Sequence, residues 1–224
     1  MAVLWAYVAL SIANVVGHLG DAAWLTTASK PLLMPVLAAW LWTSTPPSRL
    51  RRLTFVALAC SWLGDLALMG AGDGWFLAGI GGFALAQMVY VAAFWPLART
   101  GPPRRRPAVL LPYAVVWMAL MPYLATRVDE LFVPVAVYGL LLVTMAALAL
   151  GVHRLTAIGA VLFVVSDGLI ALTALADLTL PASGALVMAT YTAAQALIAA
   201  GVRDRSRAAE DSAHLGDGAP RLTL

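Results

Sequence analysis

Asp65 and Asp167 each stand inside a long apolar run, in Leu63-Gly64-Asp65-Leu66-Ala67 and in Val165-Ser166-Asp167-Gly168-Leu169. An ionised carboxylate at the centre of a membrane helix costs about 2.5 to 3.5 kcal/mol even on a mild insertion scale, so two of them predict a use. The chemistry open to such a pair is proton transfer and the stabilisation of positive charge. Other chemistries lack residues at the needed spacing. His18, His153 and His214 fall near span ends or in the C-terminal tail without the spacing of a metal site. Ser61 and Ser166 have no histidine within their spans to act as base, and Cys60, the single cysteine, has no partner for an intramolecular disulfide. No organic-cofactor motif occurs. Further polar groups converge on the level of the aspartates: Asn14, Lys30, Gln87, Tyr90, Tyr191 and Gln195. Gln87 and Tyr90 are spaced i, i+3 and Tyr191 and Gln195 i, i+4, so each pair shares one helical face. Taken singly, each of these has a competing reading as a packing or interfacial residue, and the aspartates have one as polar glue between helices.

Positioning two carboxylates in this way requires helices whose solvent is lipid. Of the 224 residues 62% are hydrophobic and 11% charged, and the mean hydropathy is +0.87, too apolar for a soluble surface. The fold class expected is therefore an all-α, polytopic transmembrane bundle of about eight helices. Apolar runs between charged or Pro/Gly-rich breaks place the spans at Ala2 to Gly17, Ser29 to Trp42, Leu53 to Gly70, Trp75 to Leu97, Ala108 to Ala125, Leu131 to Gly151, Leu155 to Leu175 and Gly184 to Val202. The second is the shortest, with Pro31 and Pro35 in its first turns, and a tilted, kinked or only partly spanning helix is expected there. The run from Met1 to Gly17 has no Lys or Arg and reads as a retained span. Twelve of the 14 Lys and Arg residues follow even-numbered spans, with Lys30 and Arg127 the exceptions. By the positive-inside rule both termini are then cytoplasmic, in a multi-pass protein of the plasma membrane. This topology accounts for the formal charge of +3, so nucleic acid is not an expected partner. The segment 203–224 is rich in charge, Gly and Ala, and is expected to be a disordered cytoplasmic tail beyond a transmembrane domain of residues 1–202. Asp65 lies twelve residues beyond Leu53 and Asp167 twelve beyond Leu155, so at ~1.5 Å per residue both sit about 18 Å in from the cytoplasm and are expected to face one cavity.

At these residues the chain resembles the YhhN family of membrane lysoplasmalogenases. The matching segments are Lys30-Pro31-Leu32, Ser61-Trp62-Leu63-Gly64-Asp65, Gly82-Phe83 through Gln87 to Tyr90, Gly159 to Asp167, and Tyr191 to Ile198, in order from the second span to the eighth. Family members often carry His at the position of Gln87, which keeps a hydrogen bond possible here but removes a titratable group. The resemblance implies hydrolysis of the vinyl ether of a lysoplasmalogen, a single-chain lysophospholipid, to a fatty aldehyde and a glycerophospho-alcohol.

The residues fit that reaction. A vinyl ether is cleaved by protonating its β-carbon, after which water adds to the oxocarbenium ion and the hemiacetal collapses. One protonated and one ionised carboxyl supply both needs, as paired carboxylates do in glycosidic cleavage. Asp65 and Asp167 are the candidate catalytic pair, either one able to be the donor. Lys30 is a candidate phosphate partner or a topological anchor, and Asn14, Gln87, Tyr90, Tyr191 and Gln195 are candidate substrate-binding groups. No cofactor is called for. The same residues also suit a small transporter or proton-coupled carrier, in which the aspartates relay protons and spans one to four and five to eight form a parallel repeat.

Overall fold

The structure, a computed structural model, describes residues 1–127, 131–176 and 178–217. Its helices are α1 (Ala2–Leu19), α2 (Ala23–Ser44), α3 (Arg49–Ala67), α4 (Asp73–Ala98), a four-residue turn α5 (Pro102–Arg105), α6 (Leu111–Ala125), α7 (Phe132–Ala149), α8 (Arg154–Ile170) and α9 (Ser183–Asp217). A 3₁₀ turn, Pro107–Leu110, leads into α6, and α8 continues as a π-helix over Ala171–Leu175. The chain is thus a multi-pass helical bundle. Large side chains such as Trp5, Leu63, Met118 and Val133 point outward at 57% exposure or more, as they do when lipid is the solvent.

Among the described residues six segments are both long and apolar enough to cross a bilayer: α1, α4, α6 with its 3₁₀ turn, α7, α8 with its π-helix, and α9. The other two expected spans have the length but more polarity. Helix α3 carries Arg49, Arg51, Arg52 and Asp65, and α2 carries Ser29 and Lys30 beside two threonines. At ~1.5 Å per residue the 19 and 22 residues of these helices reach about 28 and 33 Å. The expected short second span is corrected by this: α2 begins at Ala23 and contains both Pro31 and Pro35. A proline at 35 has no N–H to give the carbonyl of Pro31. That orphaned oxygen accepts instead from Trp62 Nε1 of α3, at 2.8 Å, so the neighbouring helix repairs what the proline broke.

Neighbouring helices pair as α1–α2, α3–α4 and α8–α9, and α9 closes the bundle against α1, α2 and α3. Small residues allow close approach at the α3–α4 and α8–α9 crossings. A Cβ on Gly82 of α4 would stand 2.8 Å from Gly64 Cα of α3, and one on Gly159 of α8 would stand 2.6 Å from the Ala194 carbonyl of α9, so backbone meets backbone at both. The main core follows a helical stripe of α2 (Leu33, Leu37 and Leu41) into Tyr90, Phe94, Phe163 and Ile198. A smaller cluster around Met121, Leu124 and Val135 joins α6 to α7. Helix α6 packs closely only on α7 among the long helices, which leaves space between α6 and α8.

The last helix extends past residue 202, where the transmembrane domain is expected to end. It runs without a break from Ser183 to Asp217, because 203–215 contains neither Gly nor Pro and is rich in the helix formers Arg and Ala. This extension docks on the turn between α2 and α3. Arg207 donates to the Ser44 carbonyl at 2.9 Å, Ser206 and Ser48 share a hydrogen bond of 3.3 Å, and Arg203 lies 5.1 Å over the Trp40 ring. The remainder of that tail, 218–224, lies outside the described residues.

Candidate active site

The two aspartates occupy different environments. Asp65 lies two residues before the end of α3 and is 2% exposed. Its Oδ2 accepts a hydrogen bond of 2.7 Å from the Tyr191 hydroxyl of α9, and its Oδ1 lies 3.8 Å from Lys30 Nζ of α2. Lys30 is there because α2 starts six residues earlier than its apolar run suggests, which puts the ammonium two turns inside the helix rather than at its outer end. A buried carboxylate with a cation and a hydroxyl donor has its charge and its lone pairs answered by protein.

The same face of α3 continues one turn down. Gln195, one turn beyond Tyr191 on α9, donates Nε2–H to Ser61 Oγ at 3.1 Å and accepts from Tyr90 of α4 at 2.8 Å. Two rungs four residues apart, Asp65–Tyr191 and Ser61–Gln195, therefore tie α3 to α9. Asn14 is fully buried away from them and donates to Ser29 Oγ at 2.9 Å and to the Thr26 carbonyl at 3.2 Å, which fastens α1 to α2.

Asp167 lies three residues before the end of α8, where the π-helix begins, and is only partly buried. Its Oδ2 accepts from the Tyr138 hydroxyl of α7. This carboxylate lines two small apolar cavities at once, of about 60 and 80 Å³, between the helices. One is bounded by Phe76, Ile80 and Phe83 of α4 with α7 and α8. The other lies between α6, α7 and α8.

The expected single cavity with both carboxylates in its wall is not found among the described residues: Asp167 lines both of these cavities and Asp65 neither. Phe83 stands at the partition. Its ring forms the wall of the cavity that Asp167 lines, lies edge-on to Tyr191 at 5.7 Å and to Phe163 at 6.3 Å, and packs against Gly64 beside Asp65. Gln87 is fully buried, within reach of Tyr138, and neither of its amide atoms has a hydrogen-bond partner among the described residues. Of the substrate-binding set read from the sequence, Lys30 and Tyr191 surround Asp65, Tyr90 and Gln195 support the lower rung, Asn14 joins helices, and Gln87 sits beside the Asp167–Tyr138 pair. None of these six lines either cavity.

Tyr138 is the group the sequence reading missed. The available signal was its position six residues inside α7, away from an interfacial belt, where a phenol hydroxyl needs a partner.

The profile of the YhhN family matches residues 25–202. Among curated proteins the chain is similar to the human "Lysoplasmalogenase TMEM86B", 34% identical over 180 residues that cover 79% of this chain and 74% of that protein. It is also 35% identical over 195 residues to a "Lysoplasmalogenase" of Mycobacterium tuberculosis, covering 80% of this chain and 73% of that one. The bovine "Lysoplasmalogenase TMEM86A" is 33% identical over 214 residues, covering 84% and 82%. No solved structure matches.

Proposed function

Because the chain belongs to the YhhN family, we propose that it is a membrane lysoplasmalogenase, a hydrolase of the vinyl ether bond of a lysoplasmalogen, with Asp167 as its proton donor. The observation that carries the assignment of the donor is the contrast between the two carboxylates. Asp65 is sealed by Lys30, Tyr191 and Phe83, whereas Asp167 is partly exposed and lies in the walls of both cavities.

In this reading the Asp167 carboxyl gives its proton to the β-carbon of the vinyl ether. The C=C electron pair forms the new C–H bond, and positive charge is shared between the α-carbon and the ether oxygen. A water oxygen then bonds to the α-carbon and its proton passes to the Asp167 carboxylate, restoring the acid. Collapse of the hemiacetal breaks the bond between the α-carbon and the glycerol oxygen, which leaves with a proton, and the chain departs as an aldehyde. One water is consumed. Tyr138 holds one oxygen of Asp167, orienting the other toward the cavity. Asp65, with Lys30 as its countercharge, supplies a fixed dipole beside the site that acts on the developing charge. Lys30 is thereby the partner of Asp65 rather than of a phosphate.

The clustering of Arg49 to Arg52, Arg99 to Arg106, Arg154 and Arg203 to Arg207 at one end of the antiparallel bundle supports cytoplasmic termini. Purified protein incubated with a lysoplasmalogen should release fatty aldehyde. No release above a protein-free control ends this reading.

A further inference from the structure

We propose that the slot between α6, α7 and α8 holds the alkenyl chain of the substrate, which enters it sideways from the bilayer through the gap between α6 and α8. The proposal deepens the hydrolase reading above and rests on it for the identity of the lipid. Trp117 and Met121 of α6, Gly139 and Leu142 of α7, and Val164 of α8 line the slot, and its polar members are Asp167 and Tyr138. An apolar slot with a carboxyl in its wall is complementary to a chain whose reactive double bond adjoins its polar end. The C=C–O group would lie at Asp167, and the polar head would be directed past the second, apolar cavity toward the bundle end rather than held inside it. That cavity shares Leu68, Phe76 and Leu175 with a wider pocket at the Gly70–Asp73 turn, so the polar product has a route to the bundle end.

The sideways opening is visible in the wall. The slot shares Val116, Leu120 and Gly168 with a groove on the outer surface between α6 and α8. Val116 is 44% exposed, and a Cβ built on Gly168 meets nothing within 4 Å. A glycine facing open space inside a membrane helix costs helix propensity without the close backbone approach seen at Gly82 and Gly159. An opening for a lipid tail gives that space a use.

Photolabelling tests the slot without needing turnover. The probe is a non-hydrolysable 1-O-alkyl lysophosphocholine with a diazirine at its chain end, applied to the full-length protein in lipid nanodiscs. Peptide mapping should find label on the segments holding Trp117 and Met121 or Gly139 and Leu142, with loss of that label under excess unlabelled 1-O-alkyl lipid. Gly168→Leu, which fills the opening without a clash at its Cβ, should lose the label as well. Label confined to other helices, or label at the slot that excess competitor leaves unchanged, overturns the proposal, and this wild-type result decides even if Gly168→Leu fails to fold. Labelled slot with no aldehyde release from lysoplasmalogen would keep the slot and remove the hydrolase. Aldehyde release with label elsewhere would do the reverse.

Discussion

At the scale of the residue, Asp167→Asn and Asp65→Asn separate the two carboxylates by different failures. Asp167→Asn keeps volume and a hydrogen-bonding group but removes the acid, so aldehyde release should fall by at least about 100-fold, the low end of general acid catalysis, with the melting temperature in detergent little changed. Tyr138→Phe removes only the hydroxyl that orients Asp167, and a loss of about tenfold in kcat with KM nearly unchanged is expected from one positioning hydrogen bond. A KM effect alone would make Tyr138 a binding group. Asp65→Asn should lower the rate through the lost dipole and, unlike Asp167→Asn, also cost stability, on the order of 2 kcal/mol, because Lys30 at 18% side-chain exposure is left mostly buried without its anion. Adding Lys30→Met should recover most of that loss in melting temperature, and failure of the double variant to recover it would mean that the ion pair is not what Asp65 contributes to the fold. The aspartates were legible in the sequence because charge in an apolar run is rare. Tyr138 was not, since a tyrosine in a span reads first as an interfacial anchor. Asn14, Tyr90 and Gln195 were found by type, yet their use as helix ties depends on which neighbours the bundle brings to them.

At the scale of the element, α2 explains where sequence reading failed. Two prolines and a lysine near the start of an apolar run suggested a short, broken span, but the helix is 22 residues long. What keeps it whole comes from α3, the Trp62 indole on the Pro31 carbonyl and the Asp65 carboxylate beside Lys30, and neighbours of this kind are not coded in the local pattern. The repair is testable. Trp62→Phe should cost about 1 kcal/mol for an unmet carbonyl, whereas in a Pro35→Ala background, where the alanine N–H can reach that carbonyl, the same change should cost clearly less. Equal costs in both backgrounds would show that the indole bond does not substitute for the helical one. At the α3–α4 crossing, Gly82→Ala puts a methyl 2.8 Å from Gly64 Cα, and overpacking of backbone against backbone predicts about 1 to 3 kcal/mol of destabilisation. A melting temperature equal to that of the parent would mean the two helices can part there without cost.

At the scale of the whole molecule, the distribution of arginines predicts that a reporter at Asp73 reads out on the external side and one placed after Arg207 on the cytoplasmic side; both on one side would invert or break the topology. The bundle is closed by its last helix. Tyr7 of α1 donates to the Thr192 carbonyl of α9 at 2.8 Å across 185 residues, and Asp65 receives Tyr191 across 126. A chain emerging from the ribosome reaches Tyr191 only after every other span has been made. Until then Asp65 and Lys30 have each other but not the phenol, and the α1 face meant for α9 has only lipid. Completion of the Asp65 environment therefore waits for α9, and a nascent chain cut short before 191 leaves an unfinished carboxylate in the membrane for quality control to find.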